Sequence, residues 1–291
     1  MRATAPAAPD VSVSLATAVA AVRTAAAVLF VAVYTLIVGP PGTILAIVFR
    51  RPMILYHLGA GGVWGALFFS GLRFRVAGGE HIQRSRAAVY AVNHSSNVEP
   101  PILYLALREL FPRFQILYKA EIHRIPVLAQ GFDAVGFVPI DRGNREKSSR
   151  AIQQAVRQIR EGNSFLVFPE GTRSRSGELL RFKKGAFMMA LEAQAPIVPV
   201  AITGAHAAMR RGSPIIWPVT IGIRFGVPVE TAGLPIEERD QVIRAVRERI
   251  AALLADAPSA AATSAPEDVA AAGPAPDPAG TPLERGPRWT R

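Results

Sequence analysis

The chain has 291 residues, half of them hydrophobic, which suits one large domain with appendages and supplies ample apolar surface for a core. It has no cysteine, which excludes disulfides, thiolate nucleophiles and cysteine-ligated metals, and its five histidines are scattered without metal-ligand spacing. The formal net charge of +11 fits an anionic membrane surface, a phosphorylated substrate or nucleic acid; because the stretch from Asp256 to Arg291 holds five acids against three bases, that charge resides in the body of the chain.

No charged residue occurs from Thr24 to Phe49, and Val11–Val22 is nearly as apolar, with only Arg23 between them. A helix over residues 12–38 would be about 40 Å long, enough to span a bilayer core. Gly39-Pro40-Pro41-Gly42 is expected to end it. Thr43 to Phe49 is apolar again and runs into Arg50-Arg51; a further apolar stretch covers Gly59 to Leu72. Two arrangements fit: a spanning helix followed by an amphipathic surface helix, or a helical hairpin dipping into one leaflet. A cleaved signal peptide fits less well, since the apolar stretch is long and its breaker falls late. If the chain spans, Arg50, Arg51, Arg73 and Arg75 put the remaining domain on the cytoplasmic side.

From about residue 72 short β-rich runs alternate with helical stretches. The predicted strands are Leu72–Ala77, Ala87–Val92, Phe114–Lys119, Gly136–Ile140, Ser164–Phe168, Ile197–Ile202 and Val219–Phe225. The predicted helices are Pro100–Phe111, Ser148–Glu161, Lys183–Ala193 and Ile236–Leu254; in the second, Ile152, Val156 and Ile159 recur on one face. This alternation predicts an α/β domain with a mixed, mostly parallel sheet flanked by helices. The organisation is then an N-terminal membrane-anchoring helical segment over 1–71, an α/β domain over 72–255, and a disordered Ala/Pro-rich tail over 256–291.

Four segments carry chemistry. In Asn93-His94-Ser95-Ser96-Asn97-Val98-Glu99-Pro100-Pro101, His94 and Glu99 are five residues apart. On one continuous helix they would diverge by about 140°. Proline disfavours the α region for the residue before it and suits the first helical position, so Glu99 belongs near a helix cap, with His94 in the loop before it. The side chains can then meet. A carboxylate on one imidazole nitrogen fixes the tautomer, and the other nitrogen can take a proton from a hydroxyl. Alone, such a pair is more often structural. The second segment is Phe168-Pro169-Glu170-Gly171-Thr172-Arg173-Ser174, followed by Arg175 and Arg181-Phe182-Lys183-Lys184-Gly185, at a strand end before a helix, where α/β folds place ligand sites. Arginine matches phosphate geometry, Gly171 allows close backbone approach, and Glu170 can accept from a sugar or glycerol hydroxyl. The third, Gly136-Phe137-Val138-Pro139-Ile140-Asp141-Arg142, is a strand ending in a basic residue. The fourth, Ala195 to Ile202, is an apolar strand whose internal Pro199 suggests an edge or a bulge.

Taken in this order, from about residue 70 to 230, these segments resemble the lysophosphatidic acid and glycerol-phosphate acyltransferase family. Lys119-Ala120-Glu121 before Pro126 is similar to the basic segment that family carries between its first two motifs, and the apolar entry is similar to its membrane-embedding N-terminus. The resemblance implies acyl transfer from a thioester of coenzyme A or acyl carrier protein to the free hydroxyl of 1-acylglycerol 3-phosphate, giving phosphatidic acid. Its implied base is His94, oriented by Glu99. Arg142 and the Glu170-Gly171-Thr172-Arg173 segment, through Glu170 and Arg173, would hold the glycerol-phosphate head, with Lys119 assisting. The Pro199 strand would shape the acyl or donor pocket. No cofactor or metal is implied. The absence of cysteine and of a G-x-S-x-G elbow agrees with direct transfer without an acyl-enzyme. The family's usual acid in the first motif is aspartate; here it is Glu99, one methylene longer. Acylation of glycerol 3-phosphate or another lysophospholipid, or non-catalytic binding of membrane lipid, are the competing expectations. A nucleic-acid partner would leave the apolar N-terminus unexplained.

Overall fold

The computed structural model describes residues 11–256; the expected tail lies outside the described residues, save Asp256. The chain opens with two apolar helices, α1 (Val11–Val48) and α2 (Met53–Ser70), which pair as an antiparallel hairpin. Both are long and apolar enough to cross a membrane by length and composition. Aromatic rings on α1 fill hollows left by glycine on α2. A Cβ on Gly65 would come within 2.1 Å of the Phe30 ring, and the Tyr34 hydroxyl donates to Leu58 O at 2.9 Å. Leu15, Val22, Leu29 and Leu36, spaced by seven, stand exposed along the outer face of α1.

The expected break at Gly39-Pro40-Pro41-Gly42 does not occur. Both prolines lie inside α1. They remove two backbone donors, but the helix is held from outside: Gly39 packs against Val127 and Gly42 against Leu58 closely enough that a Cβ would clash at 2.7 and 2.3 Å. Tertiary packing overrides the local breaker.

The core domain follows with β1 (Arg73–Ala77), β2 (Val89–Val92), α3 (Glu99–Ala106), β3 (Phe114–Lys119), α4 (Pro126–Val135), β4 (Val138–Ile140), α5 (Arg145–Arg160) and β5 (Ser164–Val167). It is completed by α6 (Gly185–Ala193), β6 (Ile197–Thr203), the single turn α7 (Ala205–Ala208), β7 (Thr220–Phe225) and α8 (Arg239–Ala255). The sheet has seven strands in the order β1-β7-β6-β2-β5-β3-β4. Five strands from β6 to β4 run parallel; β7 is antiparallel to β6 and carries β1 with it. The expected mixed, mostly parallel sheet is what forms. Helix α3 stops at Ala106, short of the expected Phe111, and is followed by a 3-10 turn over Arg108–Leu110. Helix α4 is not among the predicted helices, although Leu128, Phe132 and Val135 recur at helical spacing in it.

The sheet separates two cores. Tyr90, Val92, Val198, Val200 and Ile202 face Tyr56 and Leu67 of α2 and Ile102 and Leu103 of α3. Val89, Ala91, Ile197 and Phe165 face α5, α6 and α8 through Val156, Phe187, Met189, Val246 and Ile250. Both ends of α2 are fixed to the domain. Tyr56 near its start is buried, with its hydroxyl on Phe114 O, and Leu67 and Ser70 near its end are buried as well. The hairpin therefore runs alongside the domain.

Candidate active site

In the sheet order β2-β5-β3-β4, the carboxyl ends of four adjacent parallel strands deliver, side by side, the His94 loop, the Glu170–Arg173 loop, Lys119 and Arg142. This is the edge where parallel α/β sheets place ligands, because chain reversals there gather loops from several strands. The four sequence segments were separate; the topology makes neighbours of three of them.

The His94–Glu99 pair forms as expected. Glu99 opens α3, and its Oε2 lies 2.6 Å from His94 Nδ1. The carboxylate is fully buried. Its other oxygen accepts from Ser95 N at 2.9 Å, Ser95 Oγ at 2.7 Å and Ser96 N at 2.9 Å. One oxygen is thus committed to three donors, which aims the second at the imidazole. An ionised carboxylate accepts only, so Nδ1 carries the proton and Nε2 is left with the lone pair. The imidazole packs on the Phe168 ring, with centroids 4.1 Å apart, and retains 13% side-chain exposure. It is neither sealed nor free to rotate.

The loop itself is tied down. The Asn93 side chain bonds both backbone groups of Ile202, at 3.0 and 2.8 Å, stitching the end of β2 to β6. Ser96 Oγ donates to Met209 O at 2.8 Å. His94 O accepts from Ser174 N at 2.7 Å. His94 N donates to Glu170 Oε1 at 2.8 Å, and Leu180 N donates to Glu170 Oε2 at 3.1 Å.

That last pair of bonds corrects the role expected of Glu170. Its side chain is buried and both oxygens are taken by backbone amides, so it braces the His94 loop from behind instead of meeting a glycerol hydroxyl. Burial pushes its carboxyl above the usual range, while the two amides pull the other way. Gly171 adopts φ 68°, and a Cβ there would lie 2.8 Å from the Lys183 stem. The left-handed backbone there is what favours glycine.

The cations gather around this frame. The Arg142 guanidinium donates to Gly171 O. Desolvation lowers its pKa from the usual guanidinium value and the Glu121 charge opposes this; the group stays charged at neutral pH. Lys119 pairs with Glu121 at 3.0 Å, and its hydrogen bond holds Glu121 below the usual carboxylate range. Arg173 is half-buried and Thr172 exposed at the rim. Arg211 Nη1 donates to Arg173 O at 3.0 Å; the Arg210-Arg211-Gly212 run just past the Pro199 strand was the overlooked signal for it. Ser95 and Ser96 were visible in the motif, but their grip on Glu99 was not.

Pro199 is not brought to the site. It is buried in β6, paired with Ala91, on the face that meets α8. The β6 pairing shifts by one residue between Ile197↔Val229 and Val200↔Phe225. That is a bulge opposite Pro199, where its missing N–H breaks no ladder bond. Its side chain lies beside Gly226, on the sheet face away from the hairpin.

Residues 73–203 match the Acyltransferase family. A 1-acyl-sn-glycerol-3-phosphate acyltransferase from Limnanthes douglasii is 33% identical over 213 residues, covering 71% of this chain and 74% of that protein. The chain belongs to the 1-acyl-sn-glycerol-3-phosphate acyltransferase family. A human relative, 1-acyl-sn-glycerol-3-phosphate acyltransferase beta, is 32% identical over 174 residues, which are 57% of this chain and 59% of that one. The crystal structure of a 1-acyl-sn-glycerophosphate acyltransferase from Thermotoga maritima, 24% identical, shares the fold with a TM-score of 0.68 over 81% of this chain and 97% of that chain. The enzyme is thus an acyltransferase.

Proposed function

We propose that this acyltransferase moves a fatty acyl chain from a thioester of coenzyme A or acyl carrier protein to the free hydroxyl of 1-acylglycerol 3-phosphate, forming phosphatidic acid. The names of its relatives support the acceptor. The observation that carries the chemistry is the 2.6 Å contact from Glu99 to His94 Nδ1, with the other carboxylate oxygen anchored on three donors. Neutral His94 takes the hydroxyl proton on Nε2 as the oxygen attacks the thioester carbonyl. The tetrahedral oxyanion collapses, the C–S bond breaks, and the imidazolium returns its proton to the departing thiolate. Glu99 stabilises the imidazolium between the two steps. No covalent acyl-enzyme forms. Arg142, Arg173 and Lys119 bind the acceptor phosphate, and the Gly171-Thr172 turn lies under it.

The acceptor and product are membrane lipids. The hairpin embeds in one leaflet, with the catalytic domain on the cytoplasmic side; its exposed α1 stripe, its alignment along the domain, and the flanking Arg50, Arg51, Arg73 and Arg75 support this.

The test is acyl transfer to 1-acylglycerol 3-phosphate in liposomes, with long-chain acyl-CoA and with acyl carrier protein thioester in parallel, for the native enzyme and His94→Ala. Phosphatidic acid from one donor, lost in the variant, is expected. Full turnover by His94→Ala would remove the base; no product with either donor would remove the acceptor assignment.

A further inference from the structure

Helix α8 turns Val242, Val246 and Ile250 into the core. Arg247, one position past Val246, leaves that stripe and reaches the segment leading into α6. Its Nη1 donates to Leu180 O at 2.7 Å and its Nη2 reaches Leu179 O at 3.3 Å. Its guanidinium carbon lies 5.6 Å from the centre of the Phe182 ring, which stacks in turn on Phe187 at 5.9 Å. A guanidinium held by two carbonyls and a ring face has little freedom left.

Leu180 is where this bears on catalysis. Its carbonyl takes Arg247, and its amide is one of the two donors on Glu170. Glu170 in turn holds the His94 amide. The segment between Arg173 and Lys184 has no regular secondary structure, so no helix or sheet ladder places the Leu180 amide. The segment is held instead by the fork from α8 and, three residues on, by Lys183 N donating to Pro169 O at 2.7 Å.

We propose that Arg247 is a positioning residue for acyl transfer: it sets the Leu180 amide against Glu170 and, through Glu170, the backbone of His94. This rests on His94 as the base. A neighbouring cavity of about 280 Å³, lined by Arg181, Phe182, Lys184, Asp240, Ile243 and Arg247, gives small cations access to the same spot.

The test compares turnover of Arg247→Ala and Arg249→Ala. Arg249 lies on the same helix and also donates to backbone carbonyls, those of Val227 and Pro228 at 2.8 Å, but these belong to the strand end remote from His94. The expected result is a kcat about tenfold lower in Arg247→Ala at unchanged KM for both substrates, within the roughly hundredfold that an ångström of misplacement can cost. Arg249→Ala keeps native kcat. Guanidinium chloride, well below denaturing concentration, restores kcat to Arg247→Ala and not to His94→Ala. Adding Arg247→Ala to Glu170→Gln lowers kcat no further, since both act on one chain of contacts. If Arg247→Ala does not accumulate folded, Arg247→Lys, with one donor point in place of a fork, should lose kcat partially at native KM. Native kcat in either variant, or a loss additive with Glu170→Gln and deaf to guanidinium, overturns the proposal. A fully active His94→Ala would instead overturn the base assignment on which it stands.

Discussion

Glu99→Gln preserves the volume and shape of the buried side chain and changes only what its two ends can do. In the native site Oε1 accepts from three donors, the Ser95 and Ser96 amides and the Ser95 hydroxyl, at 2.7–2.9 Å. An amide group cannot present its NH2 there without facing two backbone N–H groups that have no way to turn. Leaving buried donors unpaired costs about 1–3 kcal/mol each, so the glutamine oxygen takes that side. Its NH2 must then face His94 Nδ1, 2.6 Å away in the native pair. Nδ1 is forced to accept, and the imidazole proton moves to Nε2, the atom that has to receive the substrate proton. The base is in place but in the wrong tautomer.

Trapping a catalytic imidazole this way lowers kcat by about 10⁴-fold in the serine-protease triad, where a similar acid-to-amide change was made. A loss of that order is expected here, with folding retained and KM little changed. Coenzyme A release can be followed with a thiol-reactive chromophore, because the protein has no cysteine to contribute background. A Glu99→Gln enzyme with kcat within tenfold of native would refute the argument: the acid would not be setting the tautomer, or His94 would not be the base.

Glu99→Asp draws the carboxylate back by about one C–C bond, 1.5 Å. It can then meet His94 or the serine donors but not both sets, and kcat should fall about ten- to hundredfold; native kcat would mean the loop closes up around the shorter acid. Arg142→Ala removes a charged donor from the phosphate site. A loss of about 1.5–3 kcal/mol corresponds to roughly ten- to hundredfold in kcat/KM for the acceptor, mostly in KM, and a pure kcat effect would argue against phosphate binding. Burial on folding raises the Glu170 pKa above the usual carboxylate range, so the native state holds that proton more tightly than the unfolded chain. This group therefore removes stability as pH rises through the window between the unfolded and folded values, and the loss is complete above it. Glu170→Gln should gain Tm relative to the native enzyme across that window; a pH-independent difference would contradict this. Gly65→Ala drives a methyl into Phe30, already hemmed by Tyr34 and Phe69. It should destabilise the hairpin by about 1–3 kcal/mol, read as a lower Tm in detergent.

Much of this architecture is legible in the residues, for reasons that are local. The strands of the sheet are short apolar runs bounded by turns, and the chemical motifs sit where strand gives way to loop, so both the layers and the edge that bears the site follow from pattern. His94 and Glu99 could be paired because Pro100 and Pro101 put a helix start between them. What stayed hidden depends on partners far along the chain. Continuation of α1 through Pro40 and Pro41 is decided by Val127 and Leu58. The antiparallel sense of β7 is a property of its neighbours, not of Thr220–Phe225. The bulge at Pro199 could be anticipated from a ring that lacks a donor, but which core its side chain enters depends on pairing with Ala91.

Glu170 shows most clearly why motif residues mislead about roles. An acid flanked by glycine and arginine at a strand end invites a substrate contact, and nothing in its own segment says otherwise. Its oxygens are claimed by amides 76 residues before it and ten residues after it. A buried carboxylate tolerates that position only because both amides are there, since burial alone disfavours its charge. The two carboxylates of the site are therefore used in the same way at different depths. Glu99 fixes the imidazole of His94 and Glu170 fixes its backbone, so that side chain and main chain of one residue are each held by an acid from a different loop. The geometry needed for proton transfer is then set before substrate arrives, which is the condition under which positioning lowers a barrier.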